Sequence, residues 1–420
     1  MMINPQEANL RKKKYLEFFD KAGMKYALGN LSKPYIGSLS PGCATCVNGT
    51  WSCLYVNELC TKNCFFCPQD RMINPKYVPR TQDGVKVSSA QEYVRHLKEF
   101  NFEGIGFSGG EPLIVFDKLI EYLEEIRNGF GSKPYIWCYT NGDLLTKEKL
   151  EALSNSGLNE IRLNIAANHY DLAAAALASK HIGTVSIEIP AIPEDVEIVK
   201  NNLKNFEDIG IKYLNLHQLF RNPCNGEQLD KRNYTPTQLD FYSHDDAPVI
   251  ESELAAFEIL KHATSKGTNL GINYCSRCYK QRFQGQAKRK RRLPLAENKK
   301  KSITETGFIR KLAIQESEVN VKRLLQALKG DDPREINISY YEPEDETKAT
   351  FAFELENETS ILIFHKLFIE SKNIEQTAKE MQALYGLSEK EGRGVLEDVK
   401  EFYGRFEYLE FNPTDIPDYT

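Results

Sequence analysis

The chain has 420 residues, of which 41% are hydrophobic and 27% charged, and a formal net charge of −5. Its length suits two or three domains, or one barrel with an appendage, and its composition is that of a globular protein rather than a fibrous or disordered one. No run of about 18 apolar residues occurs, which excludes a membrane-spanning helix, and so small a net charge does not by itself announce a nucleic-acid binder.

The chain opens with Asn4-Pro5 and then an Arg11-Lys12-Lys13-Lys14 cluster within a helical pattern, without the apolar core of a signal peptide, so a cytoplasmic location is expected. Residues 1–50 read as a helical extension that ends in a CxxC pair, Cys43 and Cys46. From Trp51 to about Tyr274, short β-rich runs alternate with amphipathic stretches, the pattern of a parallel α/β fold. The expected strands are Trp51–Asn57, Gly104–Ser108, Tyr135–Thr140, Glu160–Ala166, Thr184–Pro190, Tyr213–Leu219 and Asn269–Tyr274. Helical periodicity falls on Leu113–Asn128, Lys147–Ser156, Asp195–Asp208 and Glu251–Lys266. The apolar runs are short and nearly continuous, as in strands covered on both faces.

Ligands of such folds gather at the carboxyl ends of the strands. Candidates there are Asn141 in Thr140-Asn141-Gly142, Arg162 and Asn164 after the fourth strand, Glu188 and Ile189 on the fifth, and Asn215 and His217 on the sixth. Period-two alternation points Arg162 and Asn164 one way, and Asn215 and His217 one way, which suits either a site or a structural polar face.

The most informative residues are Cys60, Cys64 and Cys67, spaced CxxxCxxC just after the first strand, with aromatic Phe66 before the last of them. Three thiolates hold three irons of a cubane cluster and leave the fourth open. About forty residues on comes Ser108-Gly109-Gly110-Glu111-Pro112, where glycines allow close backbone approach and Glu111 offers an acceptor for an ammonium. Together these segments resemble the radical SAM superfamily, whose signature is CxxxCxΦC followed by GGEP. The resemblance implies a partial (β/α)6 barrel with a smaller α+β C-terminal domain. It also implies a [4Fe–4S] cluster on Cys60, Cys64 and Cys67, and S-adenosylmethionine (SAM) held by Gly109, Gly110, Glu111 and Pro112. Phe66, Asn141, Asn164, Glu188 and Ile189 would join them around the cofactor, with Asn164 near the ribose or carboxylate and Ile189 near the adenine. The implied chemistry is reductive cleavage of SAM to methionine and a 5′-deoxyadenosyl radical, which takes hydrogen from the substrate, with flavodoxin or ferredoxin as the reductant.

A second CxxC, Cys275 and Cys278, ends the last strand, and ten cysteines without a secretion signal argue for reduced thiols and metal rather than disulfides. A barrel brings its first and last strands together, so Cys43, Cys46, Cys275 and Cys278 can share one metal, either an auxiliary [4Fe–4S] cluster or zinc. Cys53 and Cys224 can substitute for one of these or meet the substrate, whereas Cys138, within an apolar strand, reads as a core thiol.

The barrel is expected over residues 51–280, a basic linker over 281–302, and a C-terminal domain over 303–420. The linker region carries Lys288-Arg289-Lys290-Arg291-Arg292, suited to a solvated helix, an acidic peptide or a phosphate backbone. In the C-terminal region Thr350–Leu355 alternates like a strand, and helical patterns follow at about 360–370, 374–385 and 389–406. From about residue 345 this is similar to the PqqD-like peptide-recognition domain, which takes a leader peptide as an edge strand. The leading expectation is therefore hydrogen abstraction from a peptide or protein residue, as in maturation of ribosomal peptides. The alternatives are a glycyl-radical-enzyme activase, a nucleic-acid modifier using the basic run, and a non-catalytic iron–sulfur or zinc scaffold.

Overall fold

Each of the seven apolar runs read from the sequence contains a strand in the computed structural model, which describes residues 3–29, 32–69, 76–237, 247–285, 287, 312–316, 337–345 and 348–354. In chain order the strands are β1 (Lys25–Tyr26), β2 (Pro34–Ile36), β3 (Trp51–Asn57), β4 (Arg80–Thr81), β5 (Gly104–Gly109), β6 (Tyr135–Thr140), β7 (Glu160–Leu163) and β8 (Thr184–Pro190). They continue with β9 (Tyr213–His217), β10 (Phe220–Arg221), β11 (Ala247–Pro248), β12 (Gly271–Cys275), β13 (Leu312–Glu316), β14 (Asn337–Asp345) and β15 (Lys348–Glu354). The helices are α1 (Pro5–Lys21), α2 (Pro41–Val47), α3 (Ala90–Glu99), α4 (Phe116–Phe130), α5 (Lys147–Asn155), α6 (Ala173–Ala178), α7 (Val196–Asp208), α8 (Gly226–Asp230) and α9 (Ile250–Lys266).

Strands β3, β5, β6, β7, β8, β9 and β12 lie side by side in that order, each parallel to the next. Because the order never reverses, right-handed crossovers place the connecting helices on one face. That is the wall of a barrel, whereas a doubly wound sheet turns back at a switch point. Among the described strands the row does not close on itself. Antiparallel β4 covers the β3 edge, and β2 followed by β1 covers the β12 edge. The fold is thus the partial α/β barrel expected from the sequence.

Local chemistry sets the element ends. Ser40, Ser89 and Thr146 cap α2, α3 and α5, each accepting from the backbone N–H three residues on, and Gly267 ends α9 in the left-handed region at φ 69°. Helix α3 lacks a counterpart among the expected helices, although Ser89-Ala90-Gln91-Glu92 is a capping signal. Strand β7 stops at Leu163 rather than Ala166, because Asn164 leaves the extended region and residues 165–168 turn into a 3₁₀ helix that ends at left-handed His169. The apolar faces of α3, α4, α5 and α7 pack Leu97, Leu123, Leu153 and Phe206 into one core with Ile105, Ile136, Ile161 and Ile187 from the strands.

The N-terminal extension is built into the barrel. Strand β2 pairs with β12, and α1 lies along α9 with a buried Lys12–Glu253 ion pair at 3.3 Å and a Tyr15–Glu258 hydrogen bond of 2.9 Å. The described residues fall in two compact units, one reaching Ala287 and the other containing β13, β14 and β15. The second unit shows an antiparallel sheet of order β13-β15-β14, and β15 covers most of the expected Thr350–Leu355 strand. The basic run 288–292, the helical patterns after 360 and most of the segment likened to a PqqD-like domain lie outside the described residues. No helix among the described residues is long and apolar enough to cross a membrane.

Removing one partner of a buried ion pair leaves the other charge uncompensated and is worth about 3–5 kcal/mol. Lys12→Met is therefore expected to destabilise the barrel by roughly that amount in urea unfolding, and Lys12→Met with Glu253→Met to recover most of it.

Candidate active site

The loop after β3 carries Cys60, which is exposed, and Cys64 and Cys67, which are half-buried. Its far side is held by Asn225 Nδ2 donating to the Phe66 carbonyl (3.2 Å) and Asn222 Nδ2 donating to the Pro68 carbonyl (2.9 Å). Phe66 packs edge-on against Phe65, with ring centroids 5.2 Å apart, beside Ile192, Leu219 and Leu229.

The near side is stitched to the glycine segment at the end of β5. Gly110 N donates to Asn57 O (2.8 Å), Glu111 N to Leu59 O (2.6 Å) and Asn57 Nδ2 to Glu111 O (2.9 Å). Only glycine fits here. Gly109 has φ +120°, and a Cβ on Gly109 or Gly110 would lie 2.2 Å from Asn57 O or 1.9 Å from Leu59 O. The glycines thus bring their backbone against the chain that enters the cysteine loop, and they also line the cavity where the sequence placed a ligand.

Glu111 is 1% exposed. One carboxylate oxygen accepts from Leu113 N (3.1 Å) and Thr140 Oγ1 (2.8 Å), the other from Asn141 N (2.8 Å). Burial pushes its carboxyl pKa up, and the three hydrogen bonds oppose that only in part. Asn141 extends the link to the cysteine loop, donating through Nδ2 to Thr61 Oγ1 (2.9 Å) with Cys60 Sγ at 3.8 Å. Lys62 and Asp143 add an ion pair at 3.0 Å, and this partner holds the Asp143 pKa down although its slight burial works the other way.

These residues open into a cavity of about 670 Å³, within the size range of small-molecule sites. Its other walls are the inward faces of β6 to β9 and β12. Glu188, Asn215 and Asn273 stand side by side in register, and His217 and Cys275 form the next layer toward the strand ends. Arg162, 3% exposed, binds Glu160 (2.9 Å), Ser40 Oγ (3.0 Å), Tyr139 Oη (3.2 Å) and Glu188 (3.4 Å), and lies 4.8 Å from the Trp137 ring centroid. Burial works against the charged guanidinium, but Glu160 and its other neighbours outweigh it and raise the Arg162 pKa above its ordinary value. Burial also disfavours ionised Glu188, yet His217, Arg162 and Asn215 outweigh it and hold the carboxyl at about 2. A carboxylate only accepts, so the His217–Glu188 hydrogen bond assigns the donor proton to Nε2. Burial, with nearby Lys280, lowers the His217 pKa despite Glu188, and its Nδ1 is buried without a hydrogen-bond partner. Asn164 Oδ1 is likewise buried and unpaired on the cavity wall, and Ile189 and Pro112 are buried at the ends of their segments.

The second cysteine group is only partly assembled. Cys43 and Cys46 on α2 and Cys275 on β12 line the same cavity as the first group. Cys278 instead packs with Ala27, Val47, Tyr279 and Phe283. Buried Lys33, for which no motif gave a signal, donates to Asn273 Oδ1 (2.7 Å) and Cys275 Sγ (2.6 Å), and Asn273 Nδ2 reaches Cys43 Sγ at 3.9 Å. Gln284 Nε2 contacts Cys46 Sγ. Among the described residues no three His, Cys, Asp or Glu side chains stand together as a ready metal-ligand group, and this holds for both cysteine sets. Cys53 also lines the cavity, Cys138 is fully buried in the core as expected, and Cys224 is exposed outside the cavity.

Residues 54–220 match the family model described as Radical SAM superfamily. A protein of Methanocaldococcus jannaschii with the provisional name glycyl-radical enzyme activating enzyme is 29% identical over 323 residues, 73% of this chain and 81% of the relative. The GTP 3′,8-cyclase of Aquifex aeolicus is 28% identical over 172 residues, 40% of this chain and 51% of the relative. Coproporphyrinogen III oxidase from Escherichia coli superposes with a TM-score of 0.32 at 11% identity, covering 56% of this chain and 58% of that one. A radical S-adenosylmethionine methyltransferase from Kitasatospora setae gives 0.32 at 11% identity over 62% of this chain and 56% of its own.

Gly110→Ala introduces overpacking of about 1–3 kcal/mol against backbone that cannot yield. It is expected to lower the iron bound by the reconstituted protein to less than about half of wild type, because the Asn57–Leu59 stitch must open. Gly183→Ala, where a methyl group meets nothing within 4 Å, should leave iron content unchanged.

Proposed function

The chain carries a radical SAM domain over residues 54–220, and on that premise we propose that it abstracts a hydrogen atom from a residue of a peptide or protein. A radical SAM enzyme uses a [4Fe–4S] cluster and SAM, and the residues present suit both. Cys60, Cys64 and Cys67 offer three thiols with no carboxylate or imidazole between them, on one loop facing the cavity. Asn164 Oδ1, buried and unpaired, is an acceptor awaiting an N–H or O–H of the cofactor. When bound, the pair supplies one-electron cleavage of SAM to methionine and a 5′-deoxyadenosyl radical that removes the hydrogen.

The protein's own contribution is placement and exclusion of water. Glu111 fixes the Thr140–Asn141 turn and the start of α4's leading turn, and Asn141 holds the cysteine loop over that turn. Gly109 and Gly110 shape the wall that would take the methionyl group, with Ile189 and Phe66 supplying apolar surface on the same cavity, whereas Pro112 is buried and does not line it. Glu188 acts through its neighbours, keeping Arg162, Asn215 and His217 in one orientation. The observation that carries this reading is that the cysteine loop and the Glu111 segment share one cavity at the carboxyl ends of the strands. A second reading, activation of a glycyl-radical enzyme, is favoured by the name of the M. jannaschii relative.

Anaerobic reconstitution with iron and sulfide, followed by reductant and SAM, is expected to yield 5′-deoxyadenosine from wild type and none from the Cys60→Ala, Cys64→Ala, Cys67→Ala variant. Equal product from that variant would overturn the reading. We also propose that Cys43, Cys46, Cys275 and Cys278 hold a second metal, supported by the three of them that share the cavity with Lys33 alongside. Cys275→Ala with Cys278→Ala should then lower iron from about eight to about four per chain. Unchanged iron with lost zinc would make the site a structural zinc, and unchanged iron and zinc would remove it.

A further inference from the structure

The turn between Cys64 and Cys67 is held by side chains that stand behind the cavity wall. Cys67 N donates to Cys64 O at 3.1 Å, which closes the turn over Phe65 and Phe66. The carbonyl of the same Phe66–Cys67 peptide accepts from Asn225 Nδ2 at 3.2 Å. A peptide unit is planar, so bonds to both its C=O and its N–H fix its orientation, and with it the backbone from which the Cys67 thiol projects. Two residues on, the Pro68 carbonyl accepts from Asn222 Nδ2 at 2.9 Å. At the corner, Arg232 lays its guanidinium 3.6 Å from the Phe65 ring centroid while pairing with Glu194 at 3.3 Å. Neither asparagine is among the described residues that line the cavity.

Asn225 is 2% exposed and occupies the N-cap position of α8, where an asparagine side chain ordinarily accepts from its own helix. It makes no such bond. Its Nδ2 instead bridges two carbonyls, Phe66 O and Phe220 O (3.0 Å), and its Oδ1 accepts from Asn222 N (2.8 Å). Two acceptors on one side and a donor on the other leave the amide a single orientation. In Asn222 the Oδ1 accepts from Cys224 N (3.0 Å) and Asn225 N (3.1 Å), which turns Nδ2 toward Pro68. Phe220 itself lines the cavity, so one buried amide ties the wall after β9 to the turn that carries two of the three thiols. Both asparagines lie beyond residue 220, where the match to the family model ends, so the shared motifs do not account for them.

We propose that Asn222 and Asn225 are positioning residues for SAM cleavage, an amide pair that sets the Cys64–Cys67 turn and registers it against the Phe220 wall. This rests on the reading of the cavity as a radical SAM site. The pair acts through the Phe66 and Pro68 carbonyls rather than by touching what the cavity binds. Replacing the Asn225 amide by a carboxyl group of the same shape removes at least one of its two donated bonds and sets oxygen against oxygen, which is costly where water is excluded. The turn then relaxes away from Phe220 and takes the Cys64 and Cys67 thiols with it.

The test is electron paramagnetic resonance of the reconstituted, dithionite-reduced full-length protein, titrated with SAM. The wild-type spectrum is expected to change as SAM is added, and Asn225→Asp to need about tenfold or more SAM for half of that change, the scale of one or two lost hydrogen bonds. Asn222→Asp keeps the two bonds accepted by Oδ1 and loses the one to Pro68, so it should shift the midpoint in the same direction by less. Lys12→Met, which loosens the barrel at the α1–α9 contact, is expected to leave the midpoint at its wild-type value. An unchanged midpoint in both aspartate variants would overturn the assignment, and so would an equal shift in Lys12→Met, which would make the effect a general loss of stability. If Asn225→Asp fails to fold, Asn222→Asp decides. A wild-type spectrum indifferent to SAM would overturn the radical SAM reading and the assignment with it, so the two failures are read apart.

Discussion

Two backbone hydrogen bonds, Gly110 N to Asn57 O and Glu111 N to Leu59 O, hold together what the rest of the site requires. They join the end of β5 to the chain leaving β3 just where the latter becomes the cysteine loop. Side chains could not make this join, because any Cβ on either glycine would fall inside the contact distance of a backbone oxygen. The Glu111 carboxylate then repeats the connection one strand further, to Thr140 and Asn141 at the end of β6, and Asn141 returns to Thr61 and Cys60. The cysteine loop is therefore fastened to two neighbouring strand ends, by groups that are themselves buried. That rigidity is what a site needs if it must present thiols to a metal and hold a cofactor against it.

The barrel interior faces the opposite problem. Arg162, Glu160, Glu188, Lys33 and Asn273 are all buried, and each is expensive to bury unless paired. The structure answers with a connected set of partners. Glu160 takes Arg162 and Ser186, Glu188 takes Arg162, Asn215 and His217, and Asn273 links Asn215, Lys33 and Cys43. Removing one member would leave several groups unsatisfied, so the set fixes a single arrangement of the inner strands more than it adds net stability. Cys43 of α2 sits at its edge, where burial raises the thiol pKa and Arg162 and Lys33 offset that only in part.

Much of this was legible because it depends on spacing. The alternation of apolar runs and helical periodicity reported the α/β class, and CxxxCxxC with Gly109-Gly110-Glu111 pointed to the cavity wall where those residues lie. Strand order was not legible, since periodicity reports that a strand is covered and not by which neighbour. Strands β1 and β2 are too short to show a period, so the tie between residues 34–36 and 271–275 carried no signal. Lys33 precedes a proline in an unremarkable stretch, and its role appears only when Asn273 and Cys275 arrive from the far end of the chain. Glu111 was read as a ligand-facing carboxylate from its motif, whereas two of its three protein partners come from a turn about thirty residues on. The segment around Asn164 misled in the other direction, because apolar Ile161, Leu163 and Ile165 keep period two through a stretch where the backbone has already turned.

The pairing of β2 with β12 also has a consequence for how the molecule is made. Lys33 meets Cys275 across 242 residues of sequence, so one edge of the barrel leaves the ribosome early and waits for a partner that arrives near the end of the first unit. Contacts of such high sequence separation are slow to form and leave strand edges bare in the interval. Cys43 and Cys46 emerge in the same early segment, before the strand that covers them. Nascent chains would thus pass through a period in which reactive thiols and an unpaired β-edge are displayed together, which makes the order of synthesis, the supply of metal and the action of chaperones part of one assembly problem.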